Sequence, residues 1–228
     1  MQKLYLLLIL LTPYYLSFSQ VGIVNAGNGY INVRNTPSVK SPVTDTLQNG
    51  FIIYSIDAEH GWLLVDYYKN GQYLTGNIHQ SGITFLNSFK PFAKKIINDS
   101  TICLQYNDTI ITITTGVFKK QSNAVQYDNN SKDIIKSVNG KTVYGTGGWL
   151  PRRQYTQISL QTGRKLTTLN TNLLNDLFEP VLQATDAFIT NYGVIYLTAS
   201  NSDAAGAYIV VWIFKQKGSI TRQVFRGE

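Results

Sequence analysis

Two-residue turn formers cut this chain at short intervals, and that punctuation limits what it can fold into more than any other feature. Asn49-Gly50, His60-Gly61 and Asn70-Gly71 fall close together in the first third, and Asn107-Asp108, Asn139-Gly140 and Thr162-Gly163 continue the series. Asn, Asp and Gly accept the left-handed backbone that a tight reversal demands, so each pair flanked by apolar runs is a hairpin signal. The intervening runs are rich in Val, Ile, Thr and Tyr, and most are shorter than the roughly 10 to 12 uninterrupted residues of a helix. The chain is therefore expected to be mainly β and antiparallel.

In the first third, Tyr30-Ile31-Asn32-Val33-Arg34 alternates, with Ile31 and Val33 facing a core and Asn32 and Arg34 facing outward. Thr36-Pro37 ends that strand, because proline cannot donate to a ladder and restricts the residue before it. Phe51 to Ile56 starts a second strand, Trp62 to Tyr67 follows His60-Gly61, and Asn70-Gly71 folds Gln72 to Ile78 back onto it. The succession of Tyr30 to Pro37, Val43 to Gly50 and Gly61 to Tyr67 resembles a bacterial SH3 domain (SH3b), a small β-barrel. The resemblance implies a binding module for cell-wall peptides, glycans or other extended ligands, held in a groove of aromatic side chains. By position the candidates are Tyr30, Trp62, Tyr67, Tyr68 and Tyr73, whose rings offer a flat apolar face and a polar edge. For Trp62, packing in the core or at the rim of the barrel is the leading expectation and a ligand platform the alternative. Asp66 is expected to be solvated, or to pair with a ligand amine or Arg34.

Asn87-Ser88-Phe89-Lys90-Pro91 lacks periodicity and marks a junction, so residues 20–88 are read as the SH3-like barrel and 89–228 as a second, antiparallel β-meander domain. Hairpins are expected around Asn107-Asp108, Asn139-Gly140 and Thr162-Gly163, followed by strands over Val194 to Thr198, Ala207 to Phe214 and Ile220 to Phe225. Leu173, Leu174, Leu177 and Phe178 recur at helical spacing between Asn170-Thr171 and Pro180, which predicts one short helix over Asn172 to Phe178. Asn201 to Tyr208 reads as a tight loop, with Asn201 and Asp203 weighed as oxygen ligands for Ca²⁺ against a plain turn. The glycine-rich stretch Tyr144 to Arg153 ends in Trp149, Arg152 and Arg153, which are candidates for contact with a partner protein.

Lys3 precedes an apolar run from Leu4 to Leu11, and Ser17 and Ser19 stand just before Gln20. That three-part pattern predicts a signal peptide over residues 1–19, and the run is well short of the ~20 residues that span a bilayer. The expected product is secreted or periplasmic, without stable membrane insertion after cleavage. The formal net charge is +7, but the basic pairs Lys94-Lys95, Lys119-Lys120 and Arg152-Arg153 are scattered, which argues against a nucleic-acid face.

Catalytic chemistry is poorly provided for. Cys103 is the single cysteine, and no histidine follows it: His60 and His79 both lie upstream. A thiol peptidase needs a base beside its sulfur, and zinc needs three or four suitable ligands. Asp176, Glu179 and Asp186 leave carboxylate hydrolysis as a third alternative. No cofactor is expected. The leading expectation is a non-enzymatic binding protein for a cell-wall peptide or glycan. Its rival is an exported inhibitor or immunity factor that binds a partner protein through the second domain.

Overall fold

A computed structural model describes residues 20–216 and 218–227 of the chain, so the expected signal peptide lies outside the described residues. The structure is mainly β, and its sheets are antiparallel. β1 (Gln20–Val24), β2 (Tyr30–Arg34), β3 (Val43–Gln48), β4 (Ile52–Glu59), β5 (Trp62–Lys69), β6 (Gln72–His79) and β7 (Ile83–Phe85) form one sheet, ordered β3-β2-β6-β5-β4-β1-β7. It curls into a half-barrel around Val24, Ile31, Val33, Leu47, Ile53, Leu63, Val65, Tyr67 and Ile78. At His60-Gly61 and Asn70-Gly71 both turn residues have positive φ, which matches the strand twist and sets the pairing of β4, β5 and β6.

Two five-stranded sheets follow. The first joins β8 (Lys90–Pro91), β16 (Thr185–Ile189), β17 (Ile195–Asn201), β18 (Tyr208–Phe214) and β19 (Ile220–Arg226) in the order β19-β18-β17-β16-β8. The second joins β9 (Ala93–Asn98), β10 (Thr101–Tyr106), β11 (Thr109–Val117), β14 (Arg153–Thr162) and β15 (Lys165–Thr168), ordered β15-β14-β11-β10-β9. A small ribbon pairs β12 (Val125–Tyr127) with β13 (Ile135–Val138). The expected meander is thus divided between two sheets that face one another.

β18 explains the layering. Its residues Tyr208, Val210, Trp212 and Phe214 enter the core shared with the β9 to β15 sheet, and Val211 and Ile213 enter a second core shared with the half-barrel. A strand covered on both faces reads as an unbroken apolar run, as Tyr208 to Phe214 does. Val21, Ile23, Ile52, Tyr54 and Leu86 supply the half-barrel side of that second core, against Tyr196, Val211, Ile213 and Phe225. Each large apolar side chain so buried contributes about 1.5–3 kcal/mol. Uncovering even four would cost as much as the whole net stability of an ordinary domain, about 5–15 kcal/mol, so the three layers stabilise one another.

Three local expectations change. Asn87 to Pro91 is structured: Leu86–Ser88 forms a 3₁₀ turn, and β8 adds an edge strand to β16. The expected helix over Asn172 to Phe178 is a 3₁₀ turn at Thr171–Leu173, capped by the Asn170 side chain, and Leu177 and Phe178 then enter isolated bridges with Tyr144 and Gln154. Leu174, Leu177 and Phe178 are nonetheless buried, so the apolar spacing is satisfied by a winding segment laid over the sheet. Asn139-Gly140 makes its turn with positive φ at both residues, but only Val138 and Lys141 bridge across it, because β13 pairs with β12 instead.

Candidate functional site

Alternation along β5 decides which of the expected groove aromatics share a face. Leu63, Val65 and Tyr67 point into the half-barrel core, so Trp62, Leu64, Asp66 and Tyr68 occupy its other face. The Asn70-Gly71 turn sets Trp62 opposite His79, Asp66 opposite Thr75, and Tyr68 opposite Tyr73. Trp62 and Tyr68 lie six residues apart, about 20 Å at ~3.4 Å per residue. They belong to different sites.

At the Trp62 end the surface is open. The Trp62 ring meets His79 edge to face, with centroids 5.4 Å apart and planes at 87°. Antiparallel pairing of β2 with β6 brings Tyr30, Asn32 and Arg34 alongside, and a groove of about 310 Å³ runs between these side chains, Trp62, His79 and Val39. His79 Nδ1 lies 2.8 Å from Ser81 Oγ, which holds its ring. Arg34 donates through Nη1 to the Ser41 carbonyl at 2.5 Å, and that bond ties the loop after β2 to the groove wall. His79, Asn32 and Arg34 were not singled out as site residues from the sequence. The signal was present: counting pairs outward from Asn70-Gly71 places residue 79 opposite Trp62, and alternation puts 32 and 34 on the face of Tyr30.

The other tyrosines are placed differently. Tyr67 is 3% exposed, stacks edge-on with Phe51, and is a core residue with no face free for a ligand. Burial first, then the charge and hydrogen bond of Asp45, pushes its hydroxyl up to about 12. Burial pulls Asp45 upward in turn, yet the hydrogen bond from Lys69, at 2.5 Å, and the Thr46 amide outweigh it and leave the carboxyl below its usual value. Tyr68 is 49% exposed, and Tyr73 beside it donates to Asp66 Oδ2 at 2.5 Å, while Thr75 donates to Oδ1 at 2.5 Å. Asp66 is thus buried and satisfied within its own strand pair. It makes no pair with Arg34. Burial, then Asp66, raises the Tyr73 pKa, and the Arg226 amide on β19 acts in the opposite sense, which places this end of the sheet against the neighbouring layer.

A second feature joins two stretches that stand far apart in sequence. The glycine-rich loop from Gly145 to Leu150 and the loop from Ser202 to Gly206 face one another across a cavity of about 400 Å³. Ser202 Oγ donates to the Gly145 carbonyl at 2.8 Å, and a Cβ on Gly206 would lie 2.9 Å from Gly147 N, so the backbones approach too closely for any other residue there. Trp149 is 69% exposed beside Leu150, and Ile134 packs near Gly148. The Arg152 side chain is 87% exposed and pairs loosely with Glu179 at 3.6 Å. Arg153 differs: its Nη2 lies within hydrogen-bond reach of Asp99 O, Ser100 Oγ and Thr115 Oγ1, so it braces the sheet.

The groups weighed for chemistry are separately engaged. Cys103 on β10 lies 3.7 Å from Thr112 Oγ1 on β11, whereas His60 sits in the β4–β5 turn beside Glu59 and His79 in the groove. Asp176 is buried in a bidentate pair with Arg222, at 2.5 and 2.7 Å. Glu179 accepts the Arg152 amide at 2.5 Å, and Asp186 pairs with Lys94 at 2.9 Å. Asn201 is fully buried, and its Oδ1 accepts from Tyr155 and from the Val181 amide, so it is spent on structure and not turned toward a Ca²⁺. No group of three or more His, Cys, Asp or Glu suited to a metal occurs among the described residues. No helix among them is long and apolar enough to cross a membrane.

No protein-family model matches the chain, and it matches no curated protein and no solved structure.

Proposed function

We propose that this chain is a non-enzymatic, exported binding protein whose SH3b-like half-barrel recognises a peptide or glycan of the cell wall in the groove of Tyr30 and Trp62. The observation that carries the reading is the meeting of those two residues, distant in sequence, with His79 and Arg34 around one open cavity of about 310 Å³. A flat ring face flanked by fixed polar groups suits an extended or sugar-like ligand, which needs apolar contact and hydrogen bonds at once. Retention on purified cell wall tests it. Trp62→Ala and Tyr30→Ala are expected to abolish retention and Tyr68→Ala to leave it intact; a wild-type protein that is not retained at any salt concentration refutes it.

The surface at Trp149 favours a second reading, an inhibitor or immunity factor that docks on a partner protein. Exposed Trp149, Leu150 and Ile134 form an apolar centre with Arg152 at its edge, and Trp and Arg are the residues that most often anchor protein interfaces. A stoichiometric complex with an enzyme from culture supernatant, lost in Trp149→Ala but kept in Trp62→Ala, is the expected result on that reading.

A further inference from the structure

The geometry points to a carboxylate as the group that the Tyr30–Trp62 groove selects, with Arg34 as its counter-charge; this rests on the groove being the binding site. The residues lining the groove include Arg34 and His79 but no aspartate or glutamate. Glu59 stands opposite Trp62 in the ladder, yet it lies outside the lining and turns to His60, 3.2 Å away.

Arg34 is also without a carboxylate partner, a state it shares with the half-buried Arg153 and Lys141, each of which is held by two or three neutral acceptors away from the groove. Lys69 pairs with Asp45, Lys94 with Asp186 and Arg222 with Asp176, whereas no carboxylate lies within ion-pair distance of Arg34 among the described residues. One of its nitrogens, Nη1, is occupied by a neutral carbonyl, that of Ser41. A guanidinium carries five N–H donors and cannot shed its proton, so Arg34 retains donors and an uncompensated charge at the groove. Partial burial strengthens the attraction of such a charge for an anion, and the planar fork fits the two oxygens of a carboxylate. Asn32 beside it and the rings of Tyr30 and Trp62 add hydrogen bonding and stacking for whatever bears that carboxylate. The shared chemistry is a ligand end with a free carboxylate next to an apolar face, whether that end belongs to a stem peptide or to an acidic amino sugar.

Matched probes distinguish the sources and the charge rule. Calorimetric titrations would use a short D-alanine-terminated peptide with a free carboxylate and the same peptide as its C-terminal amide, and N-acetylmuramic acid beside neutral N-acetylglucosamine. On the expected result at least one acid binds about tenfold more tightly than its neutral twin, the scale of one charge-assisted contact. That preference disappears in Arg34→Gln and survives in Arg34→Lys, which also controls for loss of the Ser41 bond. Equal binding of acid and neutral forms overturns the charge rule while leaving the groove reading intact, and so does a preference that persists in Arg34→Gln. Failure of every probe and of purified wall to bind refutes the groove itself, and this inference with it.

Discussion

Replacing Asp176 by asparagine should destabilise the protein strongly. The Asp176 carboxylate takes both terminal nitrogens of Arg222, and the two side chains sit at the edge of the core that joins the facing sheets. Asp176 belongs to the winding segment after Thr171–Leu173, and Arg222 to β19 on the facing sheet. Removing one partner of a buried pair costs about 3–5 kcal/mol, because the other charge is left uncompensated. The Arg222 side chain keeps 16% of its exposure and can recover some hydration, so about 2–4 kcal/mol is expected. For a chain of this size that is a fall in Tm of about 4–16 °C. Urea and thermal unfolding measure it directly. Because apolar residues often replace buried ion pairs without loss, Asp176→Leu combined with Arg222→Leu should recover most of the stability. A single variant within about 0.5 kcal/mol of wild type, the range of ordinary surface substitutions, would refute the assignment of Asp176 to structure.

Two further outcomes follow from the same packing. Gly145 has φ +94°, and a Cβ there would overlap the Phe178 carbonyl and lie 2.8 Å from the Tyr208 ring; Gly145→Ala should therefore destabilise by about 2 kcal/mol or more in urea melts, while Gly27→Ala, with nothing within 4 Å, should stay within about 0.5 kcal/mol. The buried hydroxyl of Tyr67 titrates at about 12 in the folded protein, above the ordinary tyrosine value, so the neutral form is the one the fold prefers. The stability this contributes is complete below about pH 10 and is lost as pH rises from there toward 12, and Tyr67→Phe should flatten that part of the stability–pH curve measured by denaturant titration.

Local turn chemistry was legible wherever it decides the pairing by itself. Asn107-Asp108 closes a hairpin in which Tyr106 faces Thr109, and the signal at Thr162-Gly163 falls one residue early, since Thr162 faces Lys165 across the turn Gly163-Arg164. Asn139-Gly140 has equally good turn residues, but β13 finds its partner in β12, the strand before it, across residues 128–134. The spacing of Leu173, Leu174, Leu177 and Phe178 correctly marks a buried stretch. Burial against a sheet is satisfied there by a 3₁₀ turn and bridges, which periodicity alone does not separate from a helix. At the groove, Tyr30 and Trp62 were legible only as two of five aromatic candidates, and for Trp62 packing in the barrel is the reading that sequence favours. Tyr67 and Tyr68 are neighbours on one strand, and a period of two forbids both from facing the same ligand. The meeting of the Gly145 and Ser202 loops depends on sheet order, which neither loop encodes.

The most direct test follows the three indole N–H signals in a ¹⁵N-labelled sample as soluble wall fragments are added. Trp62 lines the groove, Trp149 stands exposed at the other surface, and Trp212 is buried with its Nε1 donating to Leu173 O. A binding groove at Tyr30 and Trp62 predicts that the Trp62 signal shifts saturably while those of Trp149 and Trp212 stay in place. Movement of Trp149 with Trp62 unchanged would contradict it.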